Sequence, residues 1–156
     1  MPKTVRLQTP PIFAAAALRL ESWDAENLEF EMLIYSGKPV LRAKWGYDGV
    51  EHYDLVFDLS PESVRLDFLN SGRASLLSDH SWRTDGIIGG IVAGSAKLTA
   101  QGLIGRARFS DRPELEGLRR DFSRGIGTNL SMGAQIYKLV EEERPRGERR
   151  LFRATD

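Results

Sequence analysis

Period-two alternation of apolar and polar side chains does most to limit what this chain can fold into. Over residues 28–35, Leu28, Phe30, Met32 and Ile34 fall on one face and Glu29 and Glu31 on the other. That is the pattern of a half-buried strand. Ser36-Gly37-Lys38-Pro39 follows with turn chemistry. From His52 to Phe57 the same spacing puts Tyr53, Leu55 and Phe57 together, and further on Leu130, Met132, Ala134 and Ile136 oppose Ser131, Gly133, Gln135 and Tyr137. Residues 87–93 and 102–109 read as two more strands joined around Ser95 to Gln101. Gly89, Gly90 and Gly105 punctuate them, and glycine inside a strand marks a bend or a close backbone approach. The polar run Glu141 to Arg150 reads as a loop or hairpin tip, and Leu151 to Ala154 opens a last strand.

Two short helices interrupt this pattern. Ser60-Pro61-Glu62 has the chemistry of a helix start, with Val64, Phe68 and Leu69 as an apolar stripe and Asn70-Ser71-Gly72 as a stop. Asp111-Arg112-Pro113-Glu114 opens the second, in which Leu115, Leu118 and Phe122 repeat at helical spacing up to Gly125. Strands with few helices predict a mainly β, α+β fold: a curved antiparallel sheet closing into a barrel, with the helices packed against it.

A length of 156 residues is that of one domain with one substantial core. Residues 1–10, with two prolines, are expected to form a flexible arm, and 11–156 a single domain. Lys plus Arg and Asp plus Glu number 22 each, so no basic field draws in nucleic acid. With no cysteine, disulfides, thiolate metal sites and a cysteine nucleophile are excluded, and with two histidines a multi-histidine metal site is implausible. No metal or organic cofactor is expected. The apolar run Ile12 to Leu18 is too short to span a bilayer and lacks a signal-peptide pattern, which gives the expectation of a soluble, cytoplasmic protein without a membrane partner.

Serine needs a base to become a nucleophile, and histidine suits that role near neutral pH. His80 follows Leu76-Leu77-Ser78-Asp79, two leucines leading into a polar cluster, whereas His52 sits at a strand edge with no comparable setting. Ser131 lies within Asn129-Leu130-Ser131-Met132-Gly133. It is not the Gly-x-Ser-x-Gly elbow, because position 129 is asparagine. Residue chemistry alone leaves both open, since a lone histidine is more often a surface or structural residue and a strand serine is ordinary.

Order and spacing add to this. Leu59-Ser60-Pro61-Glu62-Ser63-Val64 precedes Leu76-Leu77-Ser78-Asp79-His80. Then come the glycine-rich hairpin, Arg108-Phe109-Ser110-Asp111-Arg112-Pro113-Glu114, a helix ending at Gly125-Ile126, and Asn129-Leu130-Ser131-Met132-Gly133. This succession, over roughly Ala16 to Asp156, resembles the prohead protease family of tailed bacteriophages. The resemblance implies a curved β-barrel similar to that of herpesvirus assembly proteases, with His80 as general base and Ser131 as nucleophile. It further implies action inside the immature capsid, in the cytoplasm of a bacterial host. There the substrates are the scaffold, or a scaffold-like extension of the major capsid protein, and the protease itself; packing within a shell also implies self-association.

Two departures from the family pattern stand out. The usual Ser-Val-Gly-aromatic is here Ser131-Met132-Gly133-Ala134, which alters the pocket beside the nucleophile. The stretch Arg153-Ala154-Thr155-Asp156 resembles the lead-in to a last core strand carrying an acidic third catalytic member, so the domain is expected to be truncated before that strand. Within the chain Asp79, Asp85, Glu148 and Asp156 are the candidate carboxylates, Asp79 being disfavoured because strand neighbours point to opposite faces. Arg112, Arg119, Arg120 and Arg124 cluster near the second helix, where a solvated face is the expectation and help to an oxyanion the alternative. A rival reading from another class is a catalytically inactive scaffold or capsid-assembly protein that kept the protease fold.

Overall fold

A computed structural model describes residues 4–5, 12–127 and 129–156. In chain order the strands are β1 (Thr4–Val5), β2 (Ile12–Asp24), β3 (Glu29–Tyr35), β4 (Val40–Gly46), β5 (Gly49–Phe57), β6 (Ser75–Leu77), β7 (Ile87–Ile91), β8 (Lys97–Thr99), β9 (Gly102–Phe109), β10 (Asn129–Ala134), β11 (Leu139–Glu142) and β12 (Leu151–Ala154). The helices are α1 (Asp67–Asn70) and α2 (Glu116–Ser123). The chain is thus mainly β with short helices, as expected. It divides into two compact units, one of residues 15–36 and 66–131, the other of 1–14, 37–65 and 132–156.

The unit of residues 15–36 and 66–131 is built on a curled antiparallel sheet of order β10-β2-β3-β9-β7-β6, with β8 also pairing β9. Phe30, Met32 and Ile34 are buried along β3, following the period of two. Phe109 anchors this core, with Phe30, Trp23 and Phe122 rings 5.1–6.0 Å away between centroids. Phe122 and Leu115 are buried, so α2 and the turn before it pack through the stripe read from the sequence. At Gly89, β7 lies tight against β9: a Cβ there would sit 2.2 Å from the Arg108 carbonyl oxygen, which only glycine permits.

One expectation about β3 needs correcting. Alternation puts Glu29 on the solvent face, yet it is buried, because Arg106 and Arg108 of the neighbouring β9 fold over it. A carboxylate can be buried on that face only because it is paired.

The other unit holds the sheet β1-β11-β12-β5-β4, antiparallel except for β12 against β5. Its core is Leu55, Ile136, Leu139 and Ala154, with Tyr53, Phe57 and Phe152 packed against it. The β5 face read from the sequence is therefore the buried one, although the strand is longer and β4, not anticipated, pairs with it. Of the expected arm, Thr4–Val5 pairs with Val140 and Leu139, and 1–3 and 6–10 lie outside the described residues.

The helix expected from Ser60 does not form. The Ser60 hydroxyl bonds Asp58 and Ser63 side chains instead of capping backbone donors, leaving one turn closed by Val64 N–H to Ser60 O at 3.2 Å. Only Asp67–Asn70 is helical, and Phe68 of the supposed apolar stripe is 51% exposed. Among the described residues no helix is long and apolar enough to cross a membrane.

Candidate active site

Both residues singled out by the sequence lie in the unit of residues 15–36 and 66–131, at opposite ends of its sheet. Ser131 is on β10, the first strand of the order, and His80 comes just after β6, the last. The curl of the sheet brings them together: Ser131 Oγ lies 2.6 Å from His80 Nε2. With the ring proton on Nδ1, the hydroxyl donates to Nε2, the arrangement a general base needs to accept the serine proton.

The two side chains are presented by different means. On β10, Leu130, Met132 and Ala134 are half-buried while Asn129, Ser131 and Gly133 are exposed, so strand alternation alone turns Ser131 outward. His80 is not in a strand. β6 ends at Leu77, and Asp79 and His80 both have left-handed backbone, φ 50° and 54°. The Ser81 N–H bonds the Ser78 carbonyl at 2.9 Å across them. A four-residue turn with positive φ at both central residues is type I′. Aspartate and histidine are among the few side chains that tolerate that region, which is the signal the sequence carried for this turn.

The turn is held at its base by the segment that follows. The Ser78 N–H donates to the Gly86 carbonyl at 2.8 Å, and Gly86 packs so closely that a Cβ would lie 2.5 Å from the Ser81 carbonyl oxygen. Asp79 and His80 therefore share a turn, and strand alternation, expected to point them to opposite faces, does not set their directions. Of the other candidate carboxylates, Asp85 pairs with Arg83 at 3.2 Å. Asp156, in the other unit, is held by Arg65 through bonds of 2.7 and 2.6 Å that keep its carboxyl below the usual range. Glu148, also in that unit, lies in the turn after Pro145. His52 is exposed on β5, across from Ala43.

The arginine cluster splits. Arg120 pairs with Glu116 one turn away at 2.8 Å on a solvated face, as expected, and Arg124 is exposed. Arg112 and Arg119 instead reach backbone carbonyls. Arg119 donates to Ser110 O at 2.5 Å and Arg112 O at 3.1 Å, and Arg112 donates to Ile87 O and, at 3.4 Å, to Thr84 O. Helical spacing cannot show this, because the acceptors are backbone carbonyls outside the helix, those of Arg119 nine and seven residues before it and those of Arg112 25 and 28 residues before it.

A groove of about 770 Å³ opens along Thr84, Ile87, Gly90, Ala93, Ser110 and Arg112. Neither His80 nor Ser131 lines it, but Thr84 and Ile87 flank the glycine that braces the histidine turn. Among the described residues no cluster of three or more potential metal ligands occurs. No protein-family model, no curated protein and no solved structure matches the chain.

Proposed function

We propose that this chain is a serine endopeptidase of the capsid-maturation kind, in which His80 activates Ser131. The observation that carries the proposal is the 2.6 Å approach of Ser131 Oγ to His80 Nε2, two residues 51 positions apart. A serine and a histidine in hydrogen-bond reach, both exposed, form the minimal unit for acyl transfer. His80 takes the hydroxyl proton as Ser131 attacks a peptide carbonyl, then returns it to the leaving amine, and water hydrolyses the acyl-enzyme. Backbone N–H groups near Ser131 are the expected oxyanion donors.

The finer reading rests on the resemblance to prohead proteases: a herpesvirus-protease-like barrel, a place inside the immature capsid in the host cytoplasm, and as substrates the scaffold or the scaffold-like extension of the major capsid protein. The motif order supports it, and the curled antiparallel sheet is compatible with it.

A fluorophosphonate reporter, which phosphonylates activated serines with loss of fluoride, tests the reading directly. Labelling should map to Ser131 and fall at least about a thousandfold in Ser131→Ala and in His80→Ala, with the double variant no worse than either, because the two act as a unit. Co-expression with a tailed-phage major capsid protein bearing a scaffold-like extension should give cleavage that both substitutions abolish. A folded wild-type protein that takes no label would instead favour the inactive scaffold.

A further inference from the structure

We propose that Arg112 is a positioning residue that sets the His80–Ser131 geometry; this rests on the serine-peptidase reading of the site. Gly86 is the pivot of this arrangement. It holds both arms of the His80 turn, accepting the Ser78 N–H at its carbonyl and lying against Ser81. The carbonyls of Thr84, two residues before it, and Ile87, just after it, are the two that the Arg112 guanidinium grips. Arg112 thus clamps the short segment that braces the turn, from a position 32 residues beyond His80.

Arg112 is itself held from the serine side. Its carbonyl and that of Ser110 accept from Arg119, which stands on α2, and the chain leaving α2 runs through Gly125 into β10 and Ser131. The Ser110 N–H donates to the Ile88 carbonyl at 2.9 Å, so the loop before α2 is also fixed to the start of β7. One guanidinium therefore lies between the support of the base and the support of the nucleophile. Its planar fork can serve two carbonyls at once, which a lysine ammonium on a flexible stem does not reproduce. Glu114, 3.6 Å from Arg112 Nε, steadies the remaining edge of the fork.

The test uses fluorophosphonate labelling of the full chain, with thermal unfolding recorded in parallel. Arg112→Ala should label about tenfold or more slowly than wild type, the scale expected when a catalytic group is displaced by a fraction of an ångström to an ångström. Millimolar guanidinium should recover part of that rate. The shape of the pH profile should change too. Wild type levels off once the imidazole is neutral, whereas a variant whose base is misplaced keeps climbing with hydroxide. Arg112→Lys, which keeps the charge and much of the bulk, should show the same loss of plateau in a folded protein and so carries the test if Arg112→Ala folds poorly. Folded variants that label at the wild-type rate with an unchanged plateau overturn the role. So does a rate that falls only in step with the unfolded fraction. If wild-type protein takes no label at all, the peptidase reading itself fails, an outcome distinct from labelled wild type with undiminished variants.

Discussion

The two sides of the dyad are built in opposite ways. Ser131 stands on a regular strand whose buried and exposed positions simply alternate. His80 stands on a turn of two consecutive left-handed residues, pinned by a hydrogen bond from Ser78 and by the bulk of Ser81 against Gly86. A strand presents a side chain through its period alone and tolerates exchange of the neighbours. A left-handed turn of L-residues costs about 1–2 kcal/mol per residue and persists only where surrounding structure dictates it. The vulnerability of the site should therefore lie on the histidine side.

Gly86→Ala should break this comparison most sharply. The added methyl has no room beside Ser81, whose carbonyl oxygen and Cβ, both fixed by the backbone, would lie 2.5 and 2.6 Å away. Labelling of Ser131 should fall by about a hundredfold, with about 1–3 kcal/mol of stability lost to overpacking. Unchanged labelling in a folded Gly86→Ala protein would mean that the turn does not set the position of His80.

The Asp79 pair sharpens the same point with a smaller effect. Asp79→Val places a β-branched residue at φ 50° and should cost about 1–2 kcal/mol along with much of the labelling rate. Asp79→Gly removes the carboxylate but keeps the backbone, so both stability and labelling should stay close to wild type. If the glycine variant loses labelling as severely as the valine variant, the carboxylate and not the turn is what matters, and Asp79 becomes the orienting acid.

Legibility in the sequence follows this division. β3, β9, β10 and α2 could all be read because one face of each is buried or, on β10, half-buried, and the spacing of apolar residues records it; the outward face of Ser131 is legible for that reason. β4 was missed because Leu41 and Trp45, 54% and 82% exposed, give it no buried face to advertise. The supposed helix from Ser60 had the right opening residues, but a local Asp58–Ser60–Ser63 cluster took the hydroxyl that would have capped it. That His80 meets Ser131 was suggested only by family-like order, since nothing local to either residue encodes the curl of the sheet between them. The bonds of Arg112 to Thr84 and Ile87 were equally invisible, being long-range contacts to backbone that any sequence presents.

Glu29 marks the limit of the comparison, because it should govern the sheet without touching the dyad. Its carboxylate is buried on β3 and bonded to Arg108 and Arg106, and the Arg108 hydrogen bond in particular holds its pKa below the ordinary 4.5 in spite of burial. A carboxyl depressed in the folded state stabilises fully above its unfolded value, and that contribution drains away as the pH falls from 4.5 toward the folded value. Glu29→Gln should therefore lower stability by about 1–3 kcal/mol at neutral pH, the scale of a hydrogen bond to a charged group. The gap from wild type should close in denaturation curves taken below about pH 4. Labelling of Ser131 at neutral pH, measured where both proteins are folded, should not change. A gap that persists undiminished into acid would show that packing and not the ion pair is at stake. A labelling rate that fell together with stability would show that the centre of the sheet and the histidine turn are not independent, and would erase the distinction between a framework that merely folds and a turn that positions the base.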